Sequence, residues 1–161
     1  MNKKMEELEE KYNNINIESI NTSKIIKHLD QLVNYFFIEE LTELGYAIEA
    51  NDFENMAEEL ADVKITCEFM AFRYDVDIKE IEVLATLISN PKLELWYLGK
   101  VNIKLLRGIL PTDAIKEMLT KTMAIYNYLL KHYNLNSEIV ETWYNLKRKR
   151  IIYNYENNKL Y

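Results

Sequence analysis

The chain has 161 residues, 48% of them hydrophobic, a formal net charge of -6 and a single cysteine. That length suits one domain able to bury a real core, and the acidic balance argues against a general nucleic-acid binder that works by neutralising phosphates. Lone Cys67 excludes an intrachain disulfide and any multi-cysteine zinc site, and it suits a reducing cytoplasm. The opening "MNKKMEELEEKYNN" lacks the apolar core of a signal peptide, and no stretch approaches the roughly 20 apolar residues that span a bilayer. A soluble, cytoplasmic protein without membrane or nucleic-acid partners is expected.

Only three Gly and two Pro occur, which favours helices throughout. "EELEEKY" predicts a short first helix and "NNINIESINTS" a polar connector. A long helix is expected from Thr22 or Ser23, either able to cap it, to about Ala50. "NDF" at 51–53 gives a turn and cap, and a second helix runs to about Tyr74. "DIKE" at 77–80 reads as a capping box opening a short third helix, which "SNP" at 89–91 ends. Pro91 suits the first turn of a fourth helix. "GILPTD" at 108–113 breaks the chain, with Thr112 or Asp113 capping a fifth helix. "NLNS" at 134–137 breaks it again, with Ser137 capping a C-terminal one. The sum is an all-α fold: a single-domain antiparallel bundle over 1–161, built on a four-helix core.

A shift of 59 residues sets "AFRYDVDIKEIEVL" (71–84) against "LKHYNLNSEIVETW" (130–143). Both read as a helix end, a Tyr, an Asx turn and a new helix. At the same offset Asp62 lies opposite Lys121. Two explanations stay open. One is an old duplication whose second half, 92–155, exchanged carboxylates for basic groups; the other is the default likeness of helical hairpins.

Two acidic runs stand out: EELTE at 39–43 and EELAD at 58–62. At 100° per residue the apolar stripe of the first helix is Leu29, Val33, Phe36, Phe37, Leu44, Ala47 and Ile48. Glu40 falls inside that stripe and Glu43 on its margin. The next stripe is Met56, Leu60, Val63, Cys67 and Met70, with Glu59 inside its edge and Asp62 just beyond. Glu39 and Glu58 project further from the seam. An unpaired carboxylate at Glu40 costs on the order of several kcal/mol or takes up a proton. A hard cation such as Mg²⁺, Mn²⁺ or Ca²⁺ would relieve both burial and repulsion. Lys64 could instead neutralise one carboxylate structurally. If repulsion dominates, Glu59→Gln or Asp62→Asn should leave the metal-free chain as stable or more so. A di-iron site needs Glu-x-x-His on two helices. His28 and His132 are preceded at minus three by Ile25 and Leu129, so that signature is absent.

Glu39-Glu40-Leu41-Thr42-Glu43 followed by Glu59-Leu60-Ala61-Asp62 resembles the EExxE and ExxD motifs of the all-α nucleoside triphosphate pyrophosphohydrolases, the MazG-like proteins and dimeric dUTPases. The similarity covers residues 24–80 well and the rest loosely. It implies Mg²⁺, with Mn²⁺ as a substitute, held by Glu40, Glu43, Glu59 and Asp62, and cleavage of a (d)NTP to a monophosphate and pyrophosphate. Glu43 would deprotonate the attacking water, with Glu39 as an outer partner or alternative base. "WYNLKRKRIIYNY" at 143–155 is similar in character to the family's basic, aromatic C-terminal segment, which closes late over the triphosphate. Lys147, Arg148 and Arg150, and Lys121 through the repeat, would then meet the phosphates. Tyr35, Phe36 and Phe37 could wall a base pocket or belong to the core. The resemblance further implies a homodimer. A catalytically degenerate nucleotide binder and a helical adaptor docking a basic partner are the other readings.

Overall fold

The computed structural model describes residues 2–17, 22–91, 99, 102–108 and 110–159. Seven helices are bounded among them: α1 Lys3–Tyr12, α2 Thr22–Leu29, α3 Leu32–Glu49, α4 Phe53–Arg73, α5 Ile78–Ala85, α6 Thr112–His132 and α7 Ser137–Glu156. Residues 102–106 are helical as well, and the described residues contain no strand. The expected all-α bundle is the fold the chain adopts. No helix among the described residues is long and apolar enough to cross a membrane.

The expected long helix from Thr22 to Ala50 is interrupted. Asp30 takes a left-handed backbone, φ 49°, and splits it into α2 and α3. Asp tolerates that conformation better than most residues, and Arg73 at the end of α4 holds its carboxylate at 3.0 Å. The break lets α2 lay Ile25, Ile26 and Leu29 onto α4 instead of running on past it.

Most of the other ends move by a few residues for local reasons. Asn2 caps α1 by accepting from the Met5 N–H, so the helix begins before "EELEEKY". Asp52 caps α4, as expected. Asp77 accepts from the Lys79 N–H, but the second half of the predicted box is missing because Glu80 turns away to Lys116 on α6. Helix α5 ends at Ala85, before "SNP". Pro111, rather than Thr112 or Asp113, precedes α6, with no side-chain cap. Asn136, not Ser137, caps α7, accepting from the Glu138 and Ile139 N–H groups. The fourth helix expected after Pro91 falls mostly outside the described residues.

The 59-residue offset reappears in the backbone. Helices α4 and α6 share their bounds at that shift, and α5 and α7 share their starts. Tyr74 and Tyr133 close α4 and α6, Asp75 (φ 55°) and Asn134 (φ 47°) make the left-handed step, and Asp77 and Asn136 cap α5 and α7. The bond from Val76 N–H to the Ala71 carbonyl has its counterpart from Leu135 to Leu130. Helix α4 packs on both α6 and α7, and α5 packs on α6.

Helix α4 is central, against α2, α3, α6 and α7. Met56, Leu60, Val63, Cys67 and Met70 are all fully buried, as their stripe predicts, and Val33, Phe37, Leu44 and Ala47 of α3 meet them. A turn of Ala50–Asp52 makes α3 and α4 antiparallel neighbours, which brings EELTE and EELAD to one end of one seam. The C-terminal basic stretch is not a late-closing segment: Trp143, Leu146, Ile151 and Ile152 of α7 are core.

Candidate metal centre

Helices α3, α4, α7 and the start of α1 surround a cleft of about 740 Å³. Carboxylate oxygens of Glu40, Glu43 and Glu59 approach within 4.8 Å of one another there. Glu40 and Glu59 are buried while Glu43 is exposed toward the cleft. The burial follows from helical phase, since Glu40 sits between Phe37 and Leu44 on the face α3 turns to α4.

Burial, then the charges of Asp62, Glu43 and Glu59, push the Glu40 carboxyl up to about 9. Burial, then Asp62 and Glu43, push Glu59 up to about 8. Glu40 Oε2 and Glu59 Oε2 are buried oxygens without a hydrogen-bond partner. Buried polar atoms are nearly always satisfied, so two orphans at one point mark a missing ligand or a pair of held protons.

Asp62 departs from the expected group of four. The Lys147 ammonium donates to Asp62 Oδ2 at 2.7 Å and lies 2.7 Å from Glu58 Oε1. Lys4 of α1 donates to that same Glu58 oxygen at 2.6 Å. Burial raises Asp62 despite Lys147. Burial also opposes charge on Glu58, but Lys147 and Lys4 outweigh it and hold that carboxyl below its ordinary value. For Lys147 burial is again outweighed, by Asp62 and Glu58, and the ammonium is held above its ordinary range. The interior cation is therefore Lys147, not Lys64, which lies 4.6 Å over the Tyr144 ring.

The remaining basic residues divide. Arg150 lines the cleft, and its Nε is a buried donor without a partner. Arg148 does not line it; its guanidinium lies 5.3 Å over Tyr144, whose hydroxyl donates to Glu68. Lys121 pairs with Glu117 one turn back on α6 and is likewise not among the described residues lining the cleft. Both are removed from the phosphate-binding set by their faces. Glu39 is exposed at the cleft wall. Glu58, expected to point away, is buried and doubly ion-paired. Phe36 lines the cleft, Phe37 is core and Tyr35 is half exposed. His28 and His132 lie against Tyr155 and Tyr128, away from the cleft.

Sequence reasoning missed Lys4 and Glu58. Glu58 was legible in principle, since a helix as central as α4 buries nearly every face. Lys4 was not, because nothing local shows where α1 docks. No protein-family model, curated protein or solved structure matches this chain.

The site can accept a hard divalent cation. Three carboxylates offer clustered oxygens, two of them orphaned, and Mg²⁺ or Mn²⁺ takes oxygen ligands of this kind. Lys4, Lys147 and Arg150 line the same cleft. One cleft thus presents both carboxylates and cationic groups.

Proposed function

We propose that this chain is a Mg²⁺-dependent nucleoside triphosphate pyrophosphohydrolase, cleaving a (d)NTP between its α and β phosphates. The observation that carries the reading is the convergence of Glu40, Glu43 and Glu59, two with unpartnered buried oxygens, in a cleft shared with Lys4, Lys147 and Arg150. A polyphosphate bound through a divalent cation complements both kinds of group. The resemblance of EELTE and EELAD to the family motif agrees with it.

Glu40, Glu43 and Glu59 would hold the ion, with Asp62 available only when Lys147 yields it. Bound Mg²⁺ supplies polarisation of phosphoryl oxygens and a more acidic bound water. Glu43, the exposed member of the trio, takes the proton from the attacking water, with Glu39 behind it on the cleft wall. Water oxygen bonds to the α-phosphorus, the bond to the bridging oxygen breaks, and pyrophosphate carries away that electron pair. Arg150 and Lys147 neutralise the charge that grows on the departing group. Phe36 and Tyr46 flank the opening. Tyr35 and Tyr46 are exposed on one face of α3, and these two rings are the support for a homodimer.

A pyrophosphate-release screen across dNTPs and NTPs, with Mg²⁺, Mn²⁺ or EDTA, tests the activity. Release dependent on the cation and lost in Glu43→Gln is expected. No release from any triphosphate sinks the enzyme reading. One observation favours a second reading, a nucleotide binder without turnover: Lys147 already occupies Asp62. Under that reading nucleotide raises the melting temperature while no pyrophosphate forms.

A further inference from the structure

We propose that Lys4 of the N-terminal helix is a ligand for the outer phosphates of the substrate, leaving its carboxylate partner as the triphosphate enters. The inference rests on the pyrophosphohydrolase reading. Helix α1 packs on α7 with Met5 and Tyr12 buried, and that register aims Lys4 into the cleft that holds the three carboxylates. Lys4 Nζ meets Glu58 Oε1 at 2.6 Å, an oxygen that Lys147 already approaches at 2.7 Å. Two ammonium groups on one oxygen repel each other, and either alone satisfies it.

They are not equivalent. The Lys147 side chain is 5% exposed and tied also to Asp62, whereas that of Lys4 is 61% exposed. Lys4 can therefore leave Glu58 without stranding a buried charge, because Lys147 still satisfies that oxygen, whereas Lys147 leaves a partner only when another anion takes its place. The Lys4 ammonium is a compact charge on a flexible stem, suited to reach from the cleft mouth to a phosphate. Arg150, with its unpartnered Nε, lines the same cleft. The cations lining this cleft, Lys4, Lys147 and Arg150, outnumber Glu58 and Asp62, and the excess matches the charged pyrophosphate end of the substrate.

Steady-state kinetics of Lys4→Ala and Lys4→Arg in the full chain test this. Loss of a charge-assisted hydrogen bond predicts that Lys4→Ala raises KM about ten- to a hundredfold with kcat little changed, and that Lys4→Arg recovers most of it. Inhibition by pyrophosphate should weaken by the same factor and inhibition by the monophosphate should not. A lower melting temperature with unchanged KM and unchanged pyrophosphate inhibition would show a purely structural tether and overturn the proposal. If the wild-type chain releases no pyrophosphate, the catalytic reading fails by itself. Calorimetric binding of Mg-pyrophosphate then decides Lys4: weaker binding by Lys4→Ala upholds it, equal binding overturns it.

Discussion

Glu40→Gln in the metal-free chain should reverse its effect with pH. Glu40 titrates at about 9 in the fold and near 4.5 when unfolded. Below pH 4.5 both states hold the proton, and the favourable contribution of the protonated group is fully present. Between those values only the folded state holds it, so unfolding releases a proton and stability falls as pH rises, by about 1.4 kcal/mol per pH unit. Glu59, titrating at about 8, adds a second slope of the same sign. A glutamine has the shape of the neutral acid and nothing to titrate. Relative to wild type, the variant should gain on the order of 3 kcal/mol between pH 4.5 and pH 7. Urea midpoints in EDTA at pH 5, 7 and 8.5 measure this. Curves for the two proteins should converge or cross at low pH and separate as pH rises. Parallel curves, or a variant that is the weaker protein at pH 8.5, would refute the reasoning, because Glu40 would then be an ionised, partnered carboxylate.

At pH 7, Mg²⁺ must displace the protons of Glu40 and Glu59, so binding should release about two protons and raise the melting temperature. Calorimetry in buffers of different ionisation enthalpy reads that number, and a heat independent of buffer contradicts it. Asp62→Asn should destabilise the metal-free chain by about 3 kcal/mol, because it leaves buried Lys147 short of a partner. Glu59→Gln should not, and denaturant midpoints separate them. Adding Lys147→Met to Asp62→Asn should restore part of the loss in a double-mutant cycle, and strict additivity would count against the pair. Truncation after Glu141 should abolish folding, since it removes Trp143, Leu146, Ile151 and Ile152. A truncated chain with native circular dichroism would overturn the placement of α7 in the core.

The helical class and the inward phase of Glu40 were legible because both depend only on local periodicity. The recurring turn was legible for a related reason: a helix end, a left-handed Asx step and an Asx cap form a local code, and Tyr74-Asp75-Val76-Asp77 and Tyr133-Asn134-Leu135-Asn136 write it twice, whether by duplication or by the default likeness of helical hairpins. The break at Asp30 was not, because Asp30 in an apolar-periodic run carries no local sign that it will turn left-handed; what holds it is Arg73, 43 residues away. The faces of Arg148 and Lys121 were misread for want of the same information. A basic cluster in sequence is a set of directions around a helix, and only docking decides which direction meets the acids.

That geometry also explains how a chain can carry so many carboxylates at one seam before any cation arrives. The acids are handled in two ways. Glu58 and Asp62 share Lys147, with Lys4 as a spare. Glu40 and Glu59 keep protons. Ion pairing and protonation each cancel charge, but they differ in what a divalent cation must overcome. Displacing protons costs more as pH falls, whereas displacing Lys147 requires that its ammonium find another anion. A bare cation offers none, and a polyphosphate does. Full engagement of Asp62 is therefore expected only when cation and polyphosphate arrive together. Mg²⁺ affinity should rise on adding pyrophosphate in the wild type and much less in Asp62→Asn, and identical coupling in both proteins would show that Lys147 never lets go.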